Sequence, residues 1–161
     1  MAQSNPTPAD PLTETWQIHD RINAYLLDAI PATSLAVAPT TGGRTVGQIF
    51  AHIHNVRLMW LEATGAKIPA SVVKLDKDAK FTTAMLTKAL GASGKEIAAL
   101  IEASLAGGGR VKGFKPHVHA FVGYLISHES HHRGQLMVAL KGNGIKVDKK
   151  IAYGIWEWGV R

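Results

Sequence analysis

The stretch Phe121-Val122-Gly123-Tyr124-Leu125-Ile126-Ser127-His128-Glu129-Ser130-His131-His132-Arg133-Gly134-Gln135-Leu136-Met137-Val138-Ala139 decides how this chain folds. At 100° per residue, Phe121, Leu125, Leu136 and Ala139 gather on one face, the pattern of a helix that buries one stripe. His128 and His132 fall inside the same arc, so both imidazoles point inward. Residues four apart sit one turn apart on one face, a spacing that lets two imidazoles hold one metal ion. Each could instead be a core histidine bonded to a neighbour. Two of them at adjacent turns without a shared ligand would lose about 1–3 kcal/mol for each unsatisfied group.

Working outward, Gly107-Gly108-Gly109 and Pro116 precede this helix, and Gly142 and Gly144 close it. Three further stripes lie upstream. Asp10-Pro11 offers an N-cap and a first-turn proline, and Trp16, Ile18, Ile22, Leu26 and Ala29 follow to an end near Pro31. Thr45-Val46-Gly47-Gln48 matches a capping box, and Val46, Ile49, Ile53, Val56 and Trp60 continue it until Gly65. A long third stripe runs from Phe81 to Leu105, where Gly91 and Gly94 predict a kink or break. With no convincing strand pair, four amphipathic helices imply an all-α four-helix bundle, a single domain over residues 1–161 with a short aromatic C-terminal extension.

Composition narrows the function. Apolar residues make up 46% and charged residues 19%, as in globular proteins, and no apolar stretch approaches the roughly 20 residues of a membrane span. Residues 1–11 are polar and lack a signal peptide's apolar core, so a cytoplasmic address is expected. The absence of cysteine excludes disulfides, thiolate ligands and a cysteine nucleophile. A net charge of +6 spread over scattered lysines reads as a solvated surface, and nucleic acid is not an expected partner.

His128-Glu129-Ser130-His131-His132 also fits the zinc-protease pattern of His-Glu-x-x-His, with Glu129 as base. That reading lacks a third ligand downstream, since no histidine follows His132. On the second helix, His52 and His54 flank the apolar stripe on opposite edges. Periodicity does not choose between them; either would complete three nitrogens with an open position, and both could equally be edge histidines facing solvent.

The segment Thr45-Val46-Gly47-Gln48-Ile49-Phe50-Ala51-His52-Ile53, ending in Trp60-Leu61, resembles the second helix of the DinB/YfiT-like family of metal-dependent enzymes. His128 to Leu136 resembles its signature of histidine, three residues and histidine before Arg-Gly-Gln, and Tyr153-Gly154-Ile155-Trp156-Glu157-Trp158-Gly159 resembles the ending of one branch. The resemblance implies a four-helix bundle, His52, His128 and His132 as metal ligands, one nickel or zinc ion per chain, and a homodimer.

Around those positions, Glu129 could accept from a ligand histidine, act as a base, or pair with Arg133 four residues on. His131, Arg133 and Gln135 are candidates to brace the ligands. Gly134 suggests close packing on a neighbouring helix. Tyr153, Trp156 and Trp158 suit core or dimer contacts, with Trp60, Tyr153 and Trp156 the candidates to line or lid the pocket. His19, His117 and His119 are read as surface histidines.

A three-histidine ion keeps its full charge, so it can hold a substrate thiolate or lower the pKa of bound water toward about 7. Two reactions follow: transfer of a low-molecular-weight thiol to an electrophile, and hydrolysis by metal hydroxide with Glu129 moving the proton. Resemblance ranks them, since characterised relatives include transferases and isomerases that use bacillithiol, mycothiol or glutathione. Thiol transfer therefore leads, hydrolysis follows, and a non-catalytic metal-binding or interaction module stands third.

Overall fold

Each helix begins on a side chain that satisfies its unpaired first-turn N–H groups. Asp10 accepts from Leu12 at 2.8 Å and opens α1 (Pro11–Ala29). Thr45 and Gln48 form the reciprocal capping box of α2 (Val46–Thr64), which ends on Gly65 in the left-handed region at φ 74°. Thr82 caps α3 (Thr83–Ala106). The cap of α4 (Val118–Gly142) is His117, whose Nδ1 accepts from Ala120 N, so the helix starts just after Pro116 rather than on it. A short α5 (Lys149–Gly154) and a 3-10 turn (Trp158–Val160) make the C-terminal extension. This computed structural model describes residues 10–161; the part of the polar N-terminal segment that precedes Asp10 lies outside the described residues. Among the described residues, no helix is long and apolar enough to cross a membrane.

The buried stripes are shifted from their simplest periodic reading. On α1, Ile18 is half-buried and Ala29 exposed, while His19, Asn23 and Leu27 turn inward beside Trp16, Ile22 and Leu26. On α2, Val56 and Trp60 are half-buried and Arg57, Leu58 and Leu61 take the interior. The expected break in α3 does not occur. Gly91 is exposed with nothing near it, and Gly94 serves a close approach: a Cβ there would overlap the Asp20 carboxylate of α1. The same approach lets Trp16 Nε1 donate to the Gly94 carbonyl at 2.9 Å.

α3 packs on both α1 and α2, and α4 touches both from the other side, so α1 faces α2 and α3 faces α4 across the core. Consecutive α1 and α2 thus sit on a diagonal, which explains the connection of residues 30–45 with its own 3-10 turn, Ala32–Ala36.

Hydrophobic packing is split along the bundle axis. One cluster joins Leu26, Leu27, Ile49, Phe50, Ile53, Leu86, Leu90, Leu136 and Ala139. The other joins Trp16, Leu58, Leu61, Ile97, Ile101, Val118, Phe121 and Leu125. Between them, all four helices turn polar side chains inward: His19 and Asn23 from α1, Arg57 from α2, Ser93 from α3 and Glu129 from α4.

Because Gly94 is filled against Asp20 and Gly91 is open, alanine should act oppositely at the two positions. Gly94→Ala is expected to destabilise by about 1–3 kcal/mol through overpacking. Gly91→Ala should stabilise by up to about 1 kcal/mol through helix propensity. Denaturant midpoints of the two variants measured side by side check this, and equal midpoints would refute the close α1–α3 approach.

Candidate metal centre

Arg57 is the residue on which the middle layer is built. Fully buried, it donates from Nε to Glu129 Oε1 at 2.7 Å and from Nη2 to Glu129 Oε2 at 2.8 Å, a two-pronged pairing. Its Nη1 reaches Asp20 at 2.7 Å and the Leu90 carbonyl at 3.1 Å. Glu129 Oε2 also accepts from Asn23 Nδ2 at 2.6 Å and faces His19 Nε2 at 2.8 Å, the nitrogen that carries the proton here. Arg133 does not pair with Glu129. It donates to Asn23 Oδ1 at 2.7 Å and to Ser130 Oγ at 2.8 Å, bracing the layer from its rim.

This settles the charge of each member. Burial alone would raise the Glu129 pKa, but the Arg57 charge and hydrogen bonds outweigh it and hold the carboxyl well below the usual carboxylate range. Burial lowers the pKa of His19 despite its bond to Glu129, so His19 is neutral. Glu129 is therefore held as an anion, and the pairing with Arg133 open to it in the sequence gives way to pairing with Arg57. His19, read as a surface residue, is fully buried because Trp16, Ile22 and Asn23 share its face.

Beside this layer, α2 and α4 bring His52, His128 and His132 together, with a candidate ligand atom from each within 4.8 Å of the others. The His128 and His132 Nε2 atoms lie 3.1 Å apart. Two nitrogens on one tetrahedral zinc ion, at metal–nitrogen distances of about 2.0–2.1 Å, would lie roughly 3.3 Å apart, so the pair is spaced for a shared cation. Gln135 sets the proton positions. Its Nε2 donates to His131 Nε2 at 3.0 Å, which turns its Oε1 toward His132 Nδ1 at 2.9 Å. With Nδ1–H given to Gln135, His132 presents a lone pair at Nε2. His128 Nδ1 is buried with no partner among the described residues.

Burial lowers the pKa of all three imidazoles, that of His52 to about 4 with further lowering by Arg44 and the neighbouring histidines. Neutral imidazole is the form that coordinates a metal, so the cluster suits a divalent ion at neutral pH.

The other candidates separate cleanly. His54 is buried and turned away, its Nε2 donating to the Val73 carbonyl at 3.0 Å, so it anchors the connection after α2 and does not face solvent. His131 is exposed, packs edge-on against the His132 ring at 5.3 Å and accepts from Gln135. Gly134 packs on nothing, contrary to expectation, and opens onto a cleft. Trp60 packs on Phe114, Phe121 and Tyr124, and Tyr124 stacks on His128 at 6.2 Å, so Trp60 meets the cluster at second hand. Tyr153 and Trp156 are 69% and 74% exposed, outside the core, and line neither cleft beside the cluster. His117 and His119 are exposed, as expected.

Two outcomes follow from the layer and the cluster. Arg57→Met should destabilise by about 3–5 kcal/mol in denaturant titrations by leaving Glu129 buried without its partner, and adding Glu129→Leu should recover much of that. In protein stripped with chelator, the folded imidazoles stay neutral while unfolded ones protonate near 6.5. Stability should therefore fall as pH drops from about 6.5 toward about 4. Glu129 acts in the same sense below its unfolded value of 4.5. A thermal midpoint constant from about pH 7 to 4.5 would contradict the buried, neutral histidines.

The fold and this histidine cluster can be set beside known proteins. The crystal structure of a DinB-like protein from Bacillus cereus ATCC 10987 superposes with a TM-score of 0.66 at 21% identity, over 85% of this chain and 93% of that one. At that identity the likeness concerns the fold. No curated protein matches the chain. The sequence profile of the DinB family matches residues 1–150, which include all three clustered histidines, and the chain belongs to the DinB family.

Proposed function

We propose that the protein transfers a low-molecular-weight thiol to a small electrophile at a divalent ion, nickel or zinc, held by His52, His128 and His132. The observation that carries this reading is a three-imidazole cluster whose neighbouring carboxylate, Glu129, is held as an anion by Arg57. Hydrolysis with Glu129 moving the proton calls on a carboxylate that Arg57, Asn23 and His19 already hold. Thiol transfer makes no such demand once the sulfur is ionised.

When bound, a divalent ion would supply Lewis acidity that favours the thiolate over the thiol. The chain's residues do the rest. His132 is oriented by Gln135, and His128 is steadied by the face of Tyr124. Neutral ligands leave the ion's positive charge undiminished. The lack of cysteine is compatible with a nucleophile that arrives with the substrate. A homodimer belongs to the same proposal and is read by sedimentation.

The test begins with elemental analysis of protein purified without an affinity tag. Near one divalent ion per chain is expected, lost in His52→Ala, His128→Ala and His132→Ala. Gln135→Ala should weaken metal affinity by about 10–100-fold. The loaded protein should then consume thiol together with an electrophile. Ester or amide consumption without thiol would favour hydrolysis, and failure to bind nickel or zinc would end the enzyme reading.

A further inference from the structure

The connection before α2 delivers a cation to the histidine cluster. Gly42 and Gly43 take φ values of 86° and 117°, a left-handed turn that favours glycine, and Arg44 follows directly. Arg44 is exposed, and among the described residues it makes no ion pair. Two clefts meet at it. One, of about 620 Å³, runs between this connection and α4, past His131, Gln135 and Val138. The other, of about 530 Å³, includes His52. Among the described residues lining the larger cleft Arg44 is the one fixed charge; in the smaller, Lys77 and Asp78 offset each other and leave Arg44 as the excess.

By itself this placement is unfavourable twice over. A guanidinium at the N-terminal end of α2 opposes the helix dipole, and beside a dication site it repels the ion. Arg44 and His52 line the same cleft, so the guanidinium faces the approach to the site. An anion seated against Arg44 would reverse both penalties. The planar guanidinium fork matches a carboxylate with two parallel N–H···O bonds, and Ile49 and Val138 offer apolar walls to the carbon skeleton behind it.

We infer that Arg44 is a specificity-determining residue that binds a carboxylate carried by the substrate, seating it in the cleft beside the three-histidine cluster. The inference rests on the proposed thiol chemistry for its substrate but not for its own test. The probes are mercaptoacetate, 3-mercaptopropionate and 4-mercaptobutyrate, each against its neutral amide, titrated into cobalt-loaded protein and read by sulfur-to-metal charge-transfer absorption. At least one acid should bind about tenfold or more tightly than its amide. Arg44→Gln should erase that preference without lowering cobalt content, and Arg44→Lys should restore part of it. Equal binding of acid and amide in every pair, or a preference unchanged in Arg44→Gln, overturns the inference and leaves thiol binding standing. If no thiol binds, the thiol reading fails, and Arg44 is judged on propionate against propionamide in zinc-loaded protein by histidine ring-nitrogen shifts. A propionate preference lost in Arg44→Gln then supports the inference, and no preference overturns it.

Discussion

Arg57 and Glu129 place two full charges where the bundle excludes water, and the surrounding structure exists in a form that makes this tolerable. Removing such ions from water costs several kcal/mol each, recovered only with near-ideal geometry and every remaining donor and acceptor filled. The pairing is two-pronged, Asp20 and the Leu90 carbonyl accept from Arg57 Nη1, and Asn23 and His19 add donors to Glu129. The layer also fixes the relative height of α2 and α4. Sliding one past the other by a turn would part the ions and bury both unpaired. Since His128 adjoins Glu129 in the chain and His52 lies on the same helix as Arg57, the register that joins the ions also joins the histidines. The cluster is positioned by electrostatics one step behind it.

Much of this architecture was legible in the sequence because caps and stripes are local. Asp10, the Thr45–Gln48 box and the His128–His132 spacing each state their meaning within a few residues. His52 was different: periodicity left it level with His54, and family resemblance separated them. The structure supplies a physical difference, since the Val73 carbonyl draws His54 away. What stayed hidden was the interior partnership of distant residues. Arg57 stands four residues from both Ile53 and Leu61, inside the apolar stripe rather than beside it, and His19 and Asn23 interrupt α1 similarly. Those interruptions fall at the level of Glu129, and that coincidence across helices was the available signal. Read on one helix alone, Glu129 paired with Arg133 or served as a base; read across the bundle, Arg57 claims it.

The glycines show the same limit. Gly94 and Gly134 look alike in sequence, each inside a helix, yet one is filled by Asp20 and the other borders empty space. A missing side chain signals that something is accommodated, and only the neighbouring element decides whether it is a helix or a cleft. The aromatic C-terminus is comparable: Tyr153 and Trp156 carry large apolar surface, but the site lies on α2 and α4, and both rings, on α5 and just after it, stand in solvent.

The walls of the larger cleft have unequal standing in the fold. Its histidine-bearing side belongs to α4, fixed by the charged layer, whereas its opposite side is the connection bearing Gly42, Gly43 and Arg44, all three exposed, with open space where a side chain at either glycine would stand. Changes in that connection draw little on the stability of the bundle. Such a scaffold can reshape that cleft by altering a few residues of one loop, while the histidine-bearing face and its buried ions stay as they are.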